Sequence, residues 1–169
     1  MGSWTTLTCY DVTAFQVAIG DDWFEPYNRI SVAVEQGRLA KGHVVVTHRA
    51  WHAIHVALTG EETDGKPPAS WVVGFEHGGS RALFNEVDFV HRSDTVRQIA
   101  DHLRRVDLAR AIEDLYAAIE LGVYVYSFES WRGHADMVKS GFFAEVFEQV
   151  RSLYLGAALA GDLVHVTRG

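Results

Sequence analysis

The sequence predicts an α+β fold: a small, mainly antiparallel sheet including the terminal strands, covered on one side by several helices. Three observations predict it. β-forming residues alternate at both ends of the chain, helical periodicities fill the middle, and the regular strand–helix alternation of a parallel sheet is missing. At 169 residues the chain suits one domain spanning 1–169, long enough to bury roughly 70% of its unfolded surface without staples. With 48% hydrophobic and 22% charged residues, long disordered stretches are not expected.

Trp4 to Tyr10 reads as the first strand, because Thr5, Leu7 and Cys9 alternate with Trp4, Thr6, Thr8 and Tyr10 and both sets favour β structure. Asp11 or Thr13 can cap a short helix over residues 14–19, ended at Gly20. Residues 23–28, with Pro26, read as loop. Residues 29–36 fit both periods and are assigned to helix, broken by Gly37 or Gly42. Residues 43–59 form a clearer helix, in which Trp51, Ile54 and Leu58 recur at i, i+3 and i+7 before Gly60 terminates it.

The run 61–69, with Gly65, Pro67 and Pro68, is a surface loop. Residues 70–75 suit a short helix or strand, 76–80 a turn, and 82–90 an extended segment. Ser93 or Asp94 can cap a helix with Val96, Ile99, Leu103 and Val106 on one face, and Asp107 a second with Leu108, Ala111, Ile112, Leu115 and Ile119 inside. Residues 123–128 read as a strand or an ordered extended connection. The region 134–160 is helical with a break near Gly141, and Phe143, Val146, Val150, Leu153 and Ala157 form its core face. Gly161-Asp162 turns the chain into a last strand over 163–167.

The net charge of −7 and pI near 5.7 argue against binding a phosphate backbone, so nucleic acid is not an expected partner. Arg97, Arg104, Arg105 and Arg110 interleave with Asp101, Asp107, Glu113 and Asp114, the pattern of a solvated mixed-charge face. The single cysteine, Cys9, forms no internal disulfide and reads as a small buried residue in preference to a nucleophile. No signal peptide is visible and no window approaches the roughly 20 apolar residues of a membrane span. The expected setting is cytoplasmic, with no membrane contact.

The block Trp51-His52-Ala53-Ile54-His55-Val56-Ala57-Leu58-Thr59-Gly60 resembles a hallmark of the YfbM-like bacterial family, a domain of unknown function (DUF1877). Trp51, His55, Leu58, Thr59 and Gly60 carry the match. Residues 86–107 and 142–169 resemble the family in order and spacing, whereas the first forty residues and 123–136 depart from it more. The resemblance implies a compact α+β domain and no known activity, so it assigns no catalytic residue.

Histidine is the most plausible source of chemistry, with nine in the chain. A helix beginning before His48 would align His48, His52, His55 and Thr59 along one flank. His-x-x-His supplies two ligands where zinc needs three or four, and the Glu of the metalloprotease pattern is missing. Metal and cofactor are therefore not expected. The plainer reading makes His55 a hydrogen-bonded border residue and leaves His52 exposed. The segment 76–81, containing His77, could offer backbone N–H groups to an anion, but it lacks nucleotide-loop spacing and reads as a turn.

Aromatic residues on connections form the third candidate: Trp23, Phe24 and Tyr27 in one, and Tyr124, Tyr126, Phe128 and Trp131 in another. Candidate ligand or partner residues are thus His52, His55, Thr59, Trp23, Tyr27 and His77. No catalytic motif is assembled, and the chain leans away from being an enzyme. The expected function is a non-catalytic interaction or binding module whose partner is another protein, with a homodimer open. The alternative is a histidine-dependent small-ligand binder or enzyme.

Overall fold

The computed structural model describes residues 4–20, 26–63, 65–74, 87–126 and 138–169. Six α-helices and four strands lie among them. In chain order they are β1 (Thr5–Tyr10), α1 (Val12–Ile19), α2 (Pro26–Glu35), β2 (Val44–Val46), α3 (Ala50–Thr59), β3 (Val87–His91), α4 (Ser93–Arg105), α5 (Leu108–Glu120), α6 (Phe142–Ala160) and β4 (Leu163–Arg168). A 3₁₀ turn, Ala69–Trp71, precedes β3.

All pairings are antiparallel, in the order β2-β1-β4-β3. The terminal strands β1 and β4, expected from the alternation at the chain ends, are the two central ones. Their register runs from Thr5↔Arg168 through Leu7↔Val166 and Cys9↔Val164 to Tyr10↔Leu163. Paired residues share a face. One face presents Leu7, Cys9, Val45, Val164 and Val166 to the main core, which α3, α4, α5 and α6 complete with Trp51, Ile54, Ile99, Leu103, Leu115, Phe143, Phe147 and Leu153. The other face presents Tyr10 and Leu163 to a smaller core with Phe15, Ile19, Ile30, Ala33 and Leu39. Helices thus lie against both faces of the sheet, and the expectation of one covered side was too simple. The reason is α2. Pro26 occupies its first position, where a missing N–H costs nothing, so residues 26–28 are helix and not loop.

Local signals fix most helix ends. The Asp11 carboxylate accepts from the Ala14 N–H at 2.7 Å, and Asp107 accepts from Ala109 and Arg110. Ser93 does not cap α4; its hydroxyl donates to the Gly161 carbonyl at 2.7 Å and ties α4 to the turn before β4. Gly141 opens α6 with φ 80°, which only glycine adopts at little cost. That cap places the start of α6 at Phe142, and the part of the expected helix over 134–137 lies outside the described residues.

The helix expected over 43–59 is two elements. Three valines, Val44 to Val46, are β-branched and extend as β2; His48 then takes φ 48° in a turn, and α3 begins at Ala50. This removes His48 from the flank it was expected to share with His52. Val123–Tyr126 forms an extended connection without ladder pairing, and the expected strand over 82–86 lies outside the described residues.

The main core contains an ordered polar device. Three consecutive carbonyls, from the last residue of the 3₁₀ turn onward, each accept from a buried side chain. His91 Nε2–H donates to Trp71 O at 3.0 Å, Tyr154 OH to Val72 O at 2.9 Å, and Arg168 to Val73 O at 2.7 Å. The donors come from β3, α6 and β4. Arg168 also donates to Thr5 Oγ1 at 3.2 Å and lies 3.9 Å from the centre of the Trp51 ring. Burial lowers its pKa to about 10, so it keeps its charge at neutral pH.

Arg168→Met is expected to destabilise the protein by about 2–4 kcal/mol, since it strands the Val73 carbonyl and loses the ring contact. Arg168→Lys should recover less than half, because an ammonium cannot lie flat on Trp51 while reaching both oxygens. Tyr154→Phe should cost about 1–2 kcal/mol. Urea unfolding of the three variants measures each value, and a lysine variant of wild-type stability would refute the geometric role given to Arg168.

Candidate functional site

The histidine helix is a structural centre. α3 is enclosed on all sides: Ala50 to Ala57 are all buried, and His52 and His55 both have no accessible surface. The wheel of Trp51, Ile54 and Leu58 identifies only part of what is buried, because a central helix has no solvent face. His52 is therefore not exposed, contrary to expectation, and the structure explains how it is tolerated. Its Nδ1 accepts from the Tyr126 N–H at 2.6 Å, and its Nε2 lies 2.7 Å from the Glu62 carbonyl. An amide only donates and a carbonyl only accepts, so the proton sits on Nε2 and the ring is neutral. Burial drives its pKa down to about 4, with Arg168 adding repulsion, against the opposing hydrogen bond to Glu62.

The rings around His52 form a packed cluster. Trp51 lies 5.0 Å away and Tyr124 6.2 Å, and His55 stacks at 6.3 Å with an interplanar angle of 11°. Tyr126 is 5.9 Å from Trp51. The aromatic connection after Gly122 thus packs onto α3, although Tyr124 remains 44% exposed. Thr59 locks the end of α3: its hydroxyl donates to the His55 carbonyl at 2.8 Å and accepts from the Glu61 N–H at 3.1 Å. It also lines an open groove of about 380 Å³ between the ends of α3 and α5, with Leu58, Ala117 and Leu121. Of the six candidate residues, the structure brings His52 and His55 together as buried neighbours. Thr59 sits one turn beyond, Tyr27 falls in the first turn of α2, and Trp23 and His77 lie outside the described residues.

Neither ring nitrogen of His52 can reach a substrate or metal without breaking a backbone contact. Among the described residues no group of three or more His, Cys, Asp and Glu side chains converges as a metal site would. Cys9 is 4% exposed and burial, aided by Asp162, pushes its thiol up to about 12, so no thiolate forms there at neutral pH. Within the arginine patch, Arg104 pairs with Asp101 at 2.6 Å and Arg110 with Asp114 at 3.1 Å, both at exposed positions.

The accessible chemistry lies on the second face of the sheet. Among the described residues, α1 and α2 pack with Tyr10, Leu163 and the partly buried Val90, and beside them opens a cleft of about 410 Å³. Its floor is Thr6, Thr8, His165 and Thr167 from β1 and β4, which are cross-strand partners as Thr6↔Thr167 and Thr8↔His165. Trp4, 54% exposed, forms one wall and Ile30, Ser31 and Val34 of α2 another. Glu35 and Lys41 stand at the exposed rim. Val44 and Val46 of β2 point to the same face at the sheet edge and are 42% and 38% exposed. The even-numbered set of the first strand was visible in the alternation of residues 4–10. Its meeting with His165 and Thr167 depends on a pairing across the whole chain, which no local pattern encodes.

Stability should respond to the buried histidines. His52 and His91 both have folded pKa values lowered to about 4 by burial, against an ordinary value of 6.5. The unfolded chain therefore binds more protons between these limits, and stability is full above pH 6.5 and falls as pH drops towards 4. Each histidine contributes up to about 1.4 kcal/mol per pH unit in that window. Denaturant unfolding from pH 4 to 7 measures the slope, and His91→Gln should reduce it; an unchanged slope would contradict neutral burial of that ring.

Comparison with known proteins places the fold. The chain superposes on the crystal structure of YfbM from Escherichia coli, a protein of unknown function, with a TM-score of 0.61 and 15% identity, covering 98% of this chain and 99% of that one. A search of curated proteins found no match. The family model for a domain of unknown function, DUF1877, matches residues 22–167, a span that holds every element except β1, α1 and the end of β4, and the chain belongs to that family.

Proposed function

We propose that this protein is a non-catalytic binding module whose partner is another protein, held as an extended segment along the β2 edge of the sheet. The observation that carries this is the state of β2. Its partner on one side is β1, through Thr6↔Val46, Leu7↔Val45 and Thr8↔Val44. Thr47 N–H bonds to Thr5 O, and Cys9 N–H to His43 O, so the alternation of an antiparallel ladder turns Val45 inward and Val44 and Val46 outward. Their N–H and C=O groups face the edge of the described sheet while their side chains stand exposed on its second face. An added strand would satisfy the backbone groups and cover the valines.

The chemistry of the other candidates supports the same view. His52 commits both ring nitrogens to the backbone, and Cys9 is protonated and buried. The net charge of −7 disfavours nucleic acid, and among the described residues no helix is long and apolar enough to cross a membrane. A cytoplasmic protein complex is the setting this proposal envisages.

Val44→Lys and Val46→Lys should each weaken partner capture at least about tenfold through lost apolar burial and a misplaced charge, with unfolding stability within about 0.5 kcal/mol of wild type. Quantitative cross-linking and pull-down of the wild-type chain against both variants reads this. Specific interactors retained equally by the variants would refute the β2 edge as the site, and a wild-type chain that pairs only with itself in sedimentation would replace the heterologous partner by a homodimer.

A further inference from the structure

We propose that the cleft on the second face of the sheet binds a small, neutral, polyhydroxylated ligand of mono- or disaccharide size, a site separate from the β2 edge. Its volume of about 410 Å³ falls within the range of small-ligand pockets. Its floor is rigid, because Thr6, Thr8, His165 and Thr167 belong to the two central strands, and two successive rungs on one face set these side chains in a two-by-two array. Neighbours across such rungs stand roughly 5 Å apart. His165 and Thr8 are 4% and 6% exposed, so the floor hydroxyls open to the cleft are those of Thr6 and Thr167.

The class of ligand follows from what this lining rejects and matches. A hydroxyl both donates and accepts, so the Thr6 and Thr167 side chains of the floor suit a ligand whose groups also do both. An apolar molecule would cover these groups without replacing their hydrogen bonds. A phosphorylated ligand needs convergent cations, yet Lys41 is balanced by Glu35 at the rim and the whole chain is negative. Trp4 adds a broad, half-exposed aromatic wall onto which the C–H face of a sugar ring can pack. Neutral polyols combine a flat apolar face with edges of hydroxyls, which is the complement of this cleft.

The test is titration of the full chain, by calorimetry and saturation-transfer NMR, with methyl glycosides, disaccharides and inositol, alongside free amino acids and sugar phosphates. The expected result is saturable binding of at least one neutral polyol in the millimolar range or tighter. Thr6→Val should weaken it about five- to tenfold while Thr6→Ser retains it, and Trp4→Ala should weaken it about tenfold or more. Circular dichroism and the thermal midpoint confirm that each variant is folded. The proposal is overturned if no neutral polyol binds the folded chain at millimolar concentration. It is equally overturned if amino acids or sugar phosphates bind in preference, or if binding ignores Thr6→Val and Trp4→Ala.

Discussion

Arg168 is the contact on which the interior depends. It lies on the last strand, opposite Thr5 of the first, and its guanidinium rests on Trp51 of the central helix while donating to Val73 O. One side chain therefore joins the two chain termini, α3 and the segment that follows the 3₁₀ turn. That segment forms no ladder; the Trp71 carbonyl also accepts from the Gly74 N–H, and side chains supply the donors to Val72 and Val73. Three consecutive carbonyls find side-chain donors in His91, Tyr154 and Arg168. A helix or strand at this point would have satisfied itself and needed no buried polar side chains. The irregular backbone explains why an arginine and a histidine are buried in a core otherwise built of Leu, Ile, Val and Phe.

The same logic accounts for His52. It bridges Glu62 O and Tyr126 N–H, two irregular segments on either side of α3, and imidazole suits the task because its neutral form is donor and acceptor at once. An amide could imitate the pair of contacts but not the stacking against Trp51, His55 and Tyr124. Histidine at a border position often signals chemistry, since its charge changes near neutral pH. Here burial moves that change to about pH 4, and what remains is a rigid connector. The block from Trp51 to Gly60 is thereby read as a packing unit: Trp51 carries Arg168, His52 ties two loops, and Thr59 with Gly60 ends the helix.

The legible parts of the fold were those governed by neighbours in sequence. Asp11, Asp107 and Gly161 announce helix ends, and the periodic residues of α4, α5 and α6 face the main core, with Val106, Leu108, Ile112 and Ile119 only partly buried. The terminal strands were legible from alternation. Errors arose where two signals compete within a few residues. Val44-Val45-Val46 sits directly before a helical stripe that masks its strand signal, and Pro26 suits both a loop and the first turn of a helix. The candidate site was legible only in half. Trp4, Thr6 and Thr8 stand out as the second phase of a strand, but nothing near them in sequence announces Glu35, His165 or Thr167.

The second face of the sheet completes the physical picture. Four helices serve the main core, and two short ones, of eight and ten residues, serve the other side. Such a pair can cover one end of the β1–β4 ladder, and it covers Tyr10 and Leu163. Beyond that end the face changes character from apolar to hydroxyl-bearing. Valine is left exposed on this face at the β2 edge, at Val44 and Val46, while the central strands carry Thr6 and Thr167 there. Threonine keeps the β-branched shape that the strand prefers while remaining compatible with water or a polar ligand. The composition of β1, apolar in one phase and threonine in the other, is thus the mark of a strand built to be buried on one face and open on part of its second, and it is in this open part, away from the family's histidine block, that the accessible chemistry is concentrated.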